Sequence, residues 1–113
     1  MSDLLQATPS LIASGHAVDR TILDRTVLRP SPDGQGTSMD GETVLLDLST
    51  GRYYTLNRFG SVIWEHCTGH STISDIHAVL CDRFDVTSGR ALDDLVALAN
   101  DLIQDGLLEQ ERR

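Results

Sequence analysis

The sequence predicts an α+β domain in which two or three short strands precede three helices, the helices covering one face of a small sheet. Three observations carry that prediction. A Val- and Leu-rich run, Glu42 to Leu48, passes through the turn residues Ser49-Thr50-Gly51 into a second strand-forming run, Arg52 to Leu56, which reads as a β-hairpin. Apolar residues then recur at helical spacing in three separate stretches. Each stretch opens on a residue whose side chain caps helices well: Asn57, Thr72, and Thr87 or Ser88.

In chain order, Met1 to about Asp24 carries scattered apolar residues interrupted by Pro9 and Gly15, too broken for one good helix. Arg29 to Gly41 is rich in turn residues, and only Gln35 to Met39 has the character of a short edge strand. After the hairpin, Phe59, Val62, Ile63, His66 and Cys67 space out a first helix ending near Cys67. Gly69 breaks the chain. Thr72-Ile73-Ser74-Asp75 resembles a capping box, with Asp replacing the usual Glu or Gln, and Ile73, Ile76, Leu80 and Phe84 line a second helix. A third helix carries Ala91 through Ile103, and Gly106 stands where a left-handed C-terminal residue is wanted. Leu107-Leu108-Glu109 reads as an apolar exit strand or coil.

A chain of 113 residues is one domain by length, with an ordinary globular composition of 40% hydrophobic and 23% charged residues. No apolar run approaches the roughly 20 residues that cross a bilayer, and the first residues lack a basic flank and cleavage site, so the expected location is the cytoplasm. Seventeen acidic residues against nine basic ones give a net charge of -8, which repels nucleic acid and anionic lipid alike. Neither is an expected partner. In a reducing compartment Cys67 and Cys81 are expected as free thiols.

Two features suggest a binding surface. The apolar positions of the third helix spread over an arc of about 160°, from Leu98 and Ala91 through Leu95 and Ala99 to Ile103 and Val96. One core contact seldom uses so much, which leaves the part near Leu92, Val96 and Ile103 for a groove beside the hairpin; a wide core footprint is the plainer alternative. The strand Arg52-Tyr53-Tyr54-Thr55 lies at a sheet edge if nothing follows it in the sheet, and an open edge accepts an incoming strand. Tyr53 and Tyr54 then point to opposite faces, one to the core. His66, His70, His77, Cys67 and Cys81 include pairs four apart, but no CxxC or HExxH spacing supports a metal. No phosphate loop or nucleophile elbow is present, so neither cofactor nor catalysis is expected.

Asp40 to Asn57, with its Gly-Arg-Tyr-Tyr-Thr-Leu-Asn sequence, followed by Gly60 and Ile63-Trp64, closely resembles the PqqD-like family of peptide-modification chaperones. The resemblance runs on through Thr72-Ile73, Phe84-Asp85-Val86 and Gly106-Leu107-Leu108-Glu109, covering roughly residues 26 to 109. It implies a winged-helix-like recognition element that holds the leader of a ribosomally made precursor, as in lasso-peptide biosynthesis, and delivers it to a peptidase, cyclase or other modifying enzyme. The leader would add a strand to the outer hairpin strand and pack on the third helix. Carried onto this sequence, the peptide-binding residues are Arg52, Tyr53, Tyr54 and Thr55 on the strand, with Leu92, Val96, Ala99 and Ile103 on the helix. The rivals are a winged-helix transcription regulator, for which Asp93, Asp94 and Asp101 give the third helix the wrong charge, and a structural dimerisation module.

Residues 1–24 form an N-terminal arm ahead of a recognition domain at 25–113. Pro9 and Leu11, then Gly15 and Ala17, then Thr21 resemble the leader of a lasso-peptide precursor, although Gln6 stands where an aromatic is often found. That resemblance implies a leader-like strand joined to its own receptor at high effective concentration. The arm would fill the groove of its own chain or be exchanged within a homodimer.

Overall fold

Asp40-Gly41 sets the first hairpin. Both residues have positive φ, 55° and 82°, the pair that a two-residue turn matching strand twist requires. Around it the chain forms β2 (Gly34–Met39) and β3 (Glu42–Asp47), paired antiparallel with Met39 opposite Glu42 and Gly34 opposite Asp47. A second turn follows, in which the Asp47 carboxylate accepts from the Ser49 amide at 2.9 Å and the Ser49 hydroxyl at 2.7 Å, and Gly51 takes φ 76°. It leads into β4 (Tyr53–Leu56), which pairs with β3 from Thr43–Leu56 to Leu46–Tyr53. The computed structural model describes residues 17–113.

The β2-β3-β4 sheet has an inner and an outer face, written in the alternation along β3. Thr43, Leu45 and Asp47 are buried, while Glu42, Val44 and Leu46 are exposed. Against the inner face packs α1 (Arg58–His66), and α2 (Ile73–Arg83) and α3 (Ser88–Gln104) pack on α1 and on each other, around a core that includes Leu45, Ile63, Ile76, Leu80 and Leu95. Each helix starts at its expected cap. The Asn57 side chain accepts from the Gly60 amide at 2.9 Å, Thr87 from the Arg90 amide at 3.2 Å, and Thr72 and Asp75 form a reciprocal capping box. At the far end of α3, Gly106 takes φ 80° and the Leu107 amide donates back to the Leu102 carbonyl at 2.8 Å.

The α+β architecture of strands followed by three helices stands, with an addition. A second, two-stranded sheet joins β1 (Thr26–Pro30) to β5 (Leu108–Arg112), antiparallel, with Thr26 opposite Arg112 and Pro30 opposite Leu108. The exit segment is therefore a strand. Thr26, Val27 and Leu28 are all buried, so β1 lacks the alternating pattern that marks a half-buried strand. The packed body also begins before residue 25. Val18 is buried, and a 3-10 turn, Arg20–Arg25, is capped by Asp19 and rests on α2. Among the described residues no helix is long and apolar enough to cross a membrane.

Candidate functional site: an open sheet edge beside an apolar cavity

The strand β4 is an edge of its sheet, because the order is β2-β3-β4 and the chain leaves directly into α1. Its hydrogen-bond phase follows from two bonds. The Asp47 amide donates to the Arg52 carbonyl at 2.8 Å, and on the other side the Leu48 amide donates to the Asp33 carbonyl at 2.8 Å. Antiparallel alternation from these points gives the odd residues of β3 to β4 and the even ones to β2. Tyr54 and Leu56 therefore bond inward. The main-chain groups of Tyr53 and Thr55 face out from the edge, and no strand among the described residues pairs with them.

Where β4 ends, a cavity of about 560 Å³ opens between the edge, the first turn of α1 and one side of α3. Leu56, Phe59, Val86 and Leu98 give it apolar walls, and Thr55, Asn57, Gly60 and Asp94 complete it. Phe59 is held by Phe84, with ring centroids 5.1 Å apart and planes tilted by 56°. Gly60 lets the walls close: a Cβ there would sit 3.3 Å from Leu56 Cβ and 3.4 Å from Leu98 Cδ2. Among the described residues Asp94 is the one charged residue lining this cavity, and Arg90 one turn earlier pairs with it at 3.2 Å. Both side chains are well exposed, so the pair adds little stability.

The residues singled out from the sequence divide between this site and elsewhere. Thr55 borders the cavity, Tyr54 turns inward against the core, Tyr53 stands 71% exposed on the outer face, and Arg52 is exposed at the strand's start. Val96 and Ala99 are buried in the core, with Leu92 and Ile103 half-buried against it, and none of the four borders the cavity. The flank of α3 beyond them faces the N-terminal segment. Asn100 accepts from the Val18 amide at 2.8 Å, and Asp93 pairs with Arg20 at 2.9 Å. The apolar arc does exceed one contact, but Leu98, at its opposite end, borders β4. Phe59, Gly60, Val86, Asp94 and Leu98 are not among the positions that the sequence assigns to peptide binding. One signal pointed to the first two: α1 follows β4 after a single residue, so its first turn must flank that edge.

Of the leader-like residues, the Ala17 carbonyl accepts from Gln110 at 3.2 Å, and Thr21 donates through its amide and hydroxyl to Asp19 at 2.9 and 2.6 Å. Pro9, Leu11 and Gly15 lie outside the described residues. Cys67 and Cys81 are free thiols, and burial pushes the Cys67 thiol up to about 12. His77 lies 3.5 Å from Cys81 Sγ and 2.9 Å from the Ser88 carbonyl. Among the described residues no three His, Cys, Asp or Glu side chains come together as metal ligands.

The family model described as coenzyme PQQ synthesis protein D (PqqD) matches residues 42–108, which contain β3, β4, the three helices and the cavity between them. Two solved structures share the fold. One, described as TbiB1 in complex with the TbiA(beta) leader peptide, is 30% identical with a TM-score of 0.67, over 72% of this chain and 94% of that one. The other, lasso peptide synthetase B1 complexed with the leader peptide, is 26% identical with a TM-score of 0.66, over 73% and 96% respectively. No curated protein sequence matches this chain.

Proposed function

The chain belongs to the PqqD family, and from that premise we propose that it is a non-catalytic recognition domain for the leader of a ribosomally synthesised precursor peptide, of the lasso-peptide type. The carrying observation is an open β4 edge, with the main-chain groups of Tyr53 and Thr55 turned outward, beside an apolar cavity walled by Phe59 and Leu98. A leader added as a strand satisfies that edge, and its side chains gain specificity by filling the cavity. The solved structures at 30% and 26% identity, described as leader-peptide complexes, support this reading. Its second partner is the leader peptidase or other modifying enzyme that acts on the delivered precursor. Exchange of the N-terminal arm between two copies would give a homodimer, seen as a concentration-dependent mass in light scattering.

The test is fluorescence anisotropy of labelled lasso-precursor leaders, beginning with the TbiA(beta) leader, titrated with the full chain. Saturable binding at micromolar concentration is expected. Thr55→Pro removes an outward amide without touching the ladder to β3 and should weaken binding at least tenfold, as should Leu98→Asp in the cavity wall. Absence of binding at tens of micromolar across the leaders would sink the proposal.

A further inference from the structure

A second cavity, of about 540 Å³, opens beside the Asp40-Gly41 turn, between that turn, the side of α1 that carries Arg58 and Glu65, and the end of α2 at Arg83 and Phe84. The Phe84 ring packs on Phe59, with centroids 5.1 Å apart, and Phe59 walls the cavity beside β4. The two cavities therefore stand on either side of one aromatic pair. The Arg58 guanidinium lies against the open side of Gly41, with Nε, Nη2 and Cζ at 3.7, 3.8 and 3.9 Å from where a Cβ would be.

The cations of this cavity do not serve the fold. Arg20, Arg29 and Arg90 are ion-paired, whereas Arg58 and Arg83 form no ion pair or side-chain hydrogen bond among the described residues, although Asp40 and Glu65 line the same space. Arg83 closes α2, where the helix dipole favours a cation. Arg58 stands in the first turn of α1, where the dipole disfavours one, and that turn holds no acidic residue to offset it. Helix stability does not account for Arg58. An anion entering beside it gains from both guanidiniums and from the helix end.

The sheet geometry says which anion arrives. Leu56, the last residue of β4, lies opposite Thr43, so the Asp40-Gly41 turn is at the same end of the sheet. A peptide added to β4, the reading on which this inference rests, lies two strand spacings from β3, roughly 10 Å, which about three extended residues cross. Asp40 and Glu65 repel a second acid, so the chemistry is one carboxylate with neutral or basic neighbours. We propose that this cavity is a second subsite for the precursor, in which one Asp or Glu side chain beyond the segment paired with β4 sits between Arg58 and Arg83.

The test uses the full chain and labelled full-length precursors whose leaders bind it, read by anisotropy. Arg58→Ala and Arg83→Ala change exposed positions outside the β4 edge and its cavity. Each should weaken binding about fivefold, and the reversals Arg58→Glu and Arg83→Glu at least tenfold. Replacing each precursor Asp or Glu in turn by Asn or Gln should find one position with a similar loss, and that loss should vanish in the Arg58→Glu chain. Lys at that position should restore binding to Arg58→Glu. Unchanged affinity in the arginine variants, while the unaltered chain binds, overturns the subsite alone. Arginine losses that no single precursor carboxylate reproduces overturn it too, since long-range charge or a disturbed fold acts on every precursor variant alike. Failure of the unaltered chain to bind any leader removes the reading beneath it.

Discussion

Gly36 has no side chain because Trp64 occupies the place where one would go. A Cβ on Gly36 would collide with the Trp64 indole nitrogen and come within 3.1 Å of Leu45 Cδ2, so the indole packs directly on the backbone of β2. Overpacking at such a contact forces either the ring or the strand to move. Gly36→Ala should therefore lower the unfolding free energy by ~1–3 kcal/mol, with a shifted tryptophan emission, in a urea titration. Cys67 sets a pH dependence through the same closeness of packing. Its side chain is 1% exposed, and burial raises its thiol from an ordinary value of 9.0 to about 12. The sign follows from which state ionises first. Above the unfolded value only the unfolded chain loses this proton, so the stabilisation is complete below about pH 9 and is lost as pH rises toward the folded value. The expected slope in that window approaches ~1.4 kcal/mol per pH unit, and Cys67→Ala should flatten it in denaturant titrations between about pH 8 and pH 10.

Local chemistry decides the helices, and there the sequence is readable. Asn57, Thr72 and Thr87 each accept from an amide of the first turn, and Gly51 and Gly106 take the positive φ that their turns need. The β3-β4 hairpin is legible for the same reason, since its alternation and turn lie within 15 residues. The β1-β5 ladder is not, because Val27 and Leu28 find their partners Glu111 and Gln110 more than 80 residues later, and burial on both faces erases the alternating signature. Nor does the arc on α3 reveal which end meets β4. Helix periodicity fixes the angle between Leu98 and Val96, but only tertiary packing places Leu98 beside the edge and covers the other flank with Val18. The capping box of α2 gives a measure of the local part. Thr72 accepts from the Asp75 amide at 3.1 Å, and Asp75 accepts from the Thr72 amide at 3.0 Å. Thr72→Ala removes the first bond and should cost ~1 kcal/mol, a fall of about 4 °C in Tm by calorimetry, while the backbone bridge from Val27 to Thr72 remains.

On the scale of the molecule, the two sheets serve different ends of one structure. The three-stranded sheet offers an edge, whereas β1 and β5 bind the two ends of the described chain together. Ser31 donates through its amide to the Leu107 carbonyl at 3.0 Å and through its hydroxyl to the Gly106 carbonyl at 2.6 Å, and the Arg113 amide reaches the Arg25 carbonyl at 2.7 Å. Arg29 adds exposed pairs with Glu109 at 3.2 Å and Glu111 at 2.8 Å, of small energetic weight. The larger contribution is apolar. Leu108 is 2% exposed, and a fully buried leucine is worth roughly 1.5–3 kcal/mol before the ladder bonds are added. Against the ~5–15 kcal/mol of a whole small domain, removing residues 108–113 should be felt everywhere rather than at one end. The cavity shows why. Its wall on α3 carries Leu98 and Asp94, and α3 is held in place by the Gly106-Leu107 turn that leads into β5 as well as by the core. A chain truncated after Leu107 should lose amide protection in β1 and, with it, leader binding at the distant β4 edge. Hydrogen exchange read together with anisotropy distinguishes the outcomes. Leader binding that persisted while β1 lost its protection would mean that the two sheets unfold as separate units and that the binding edge does not depend on the second.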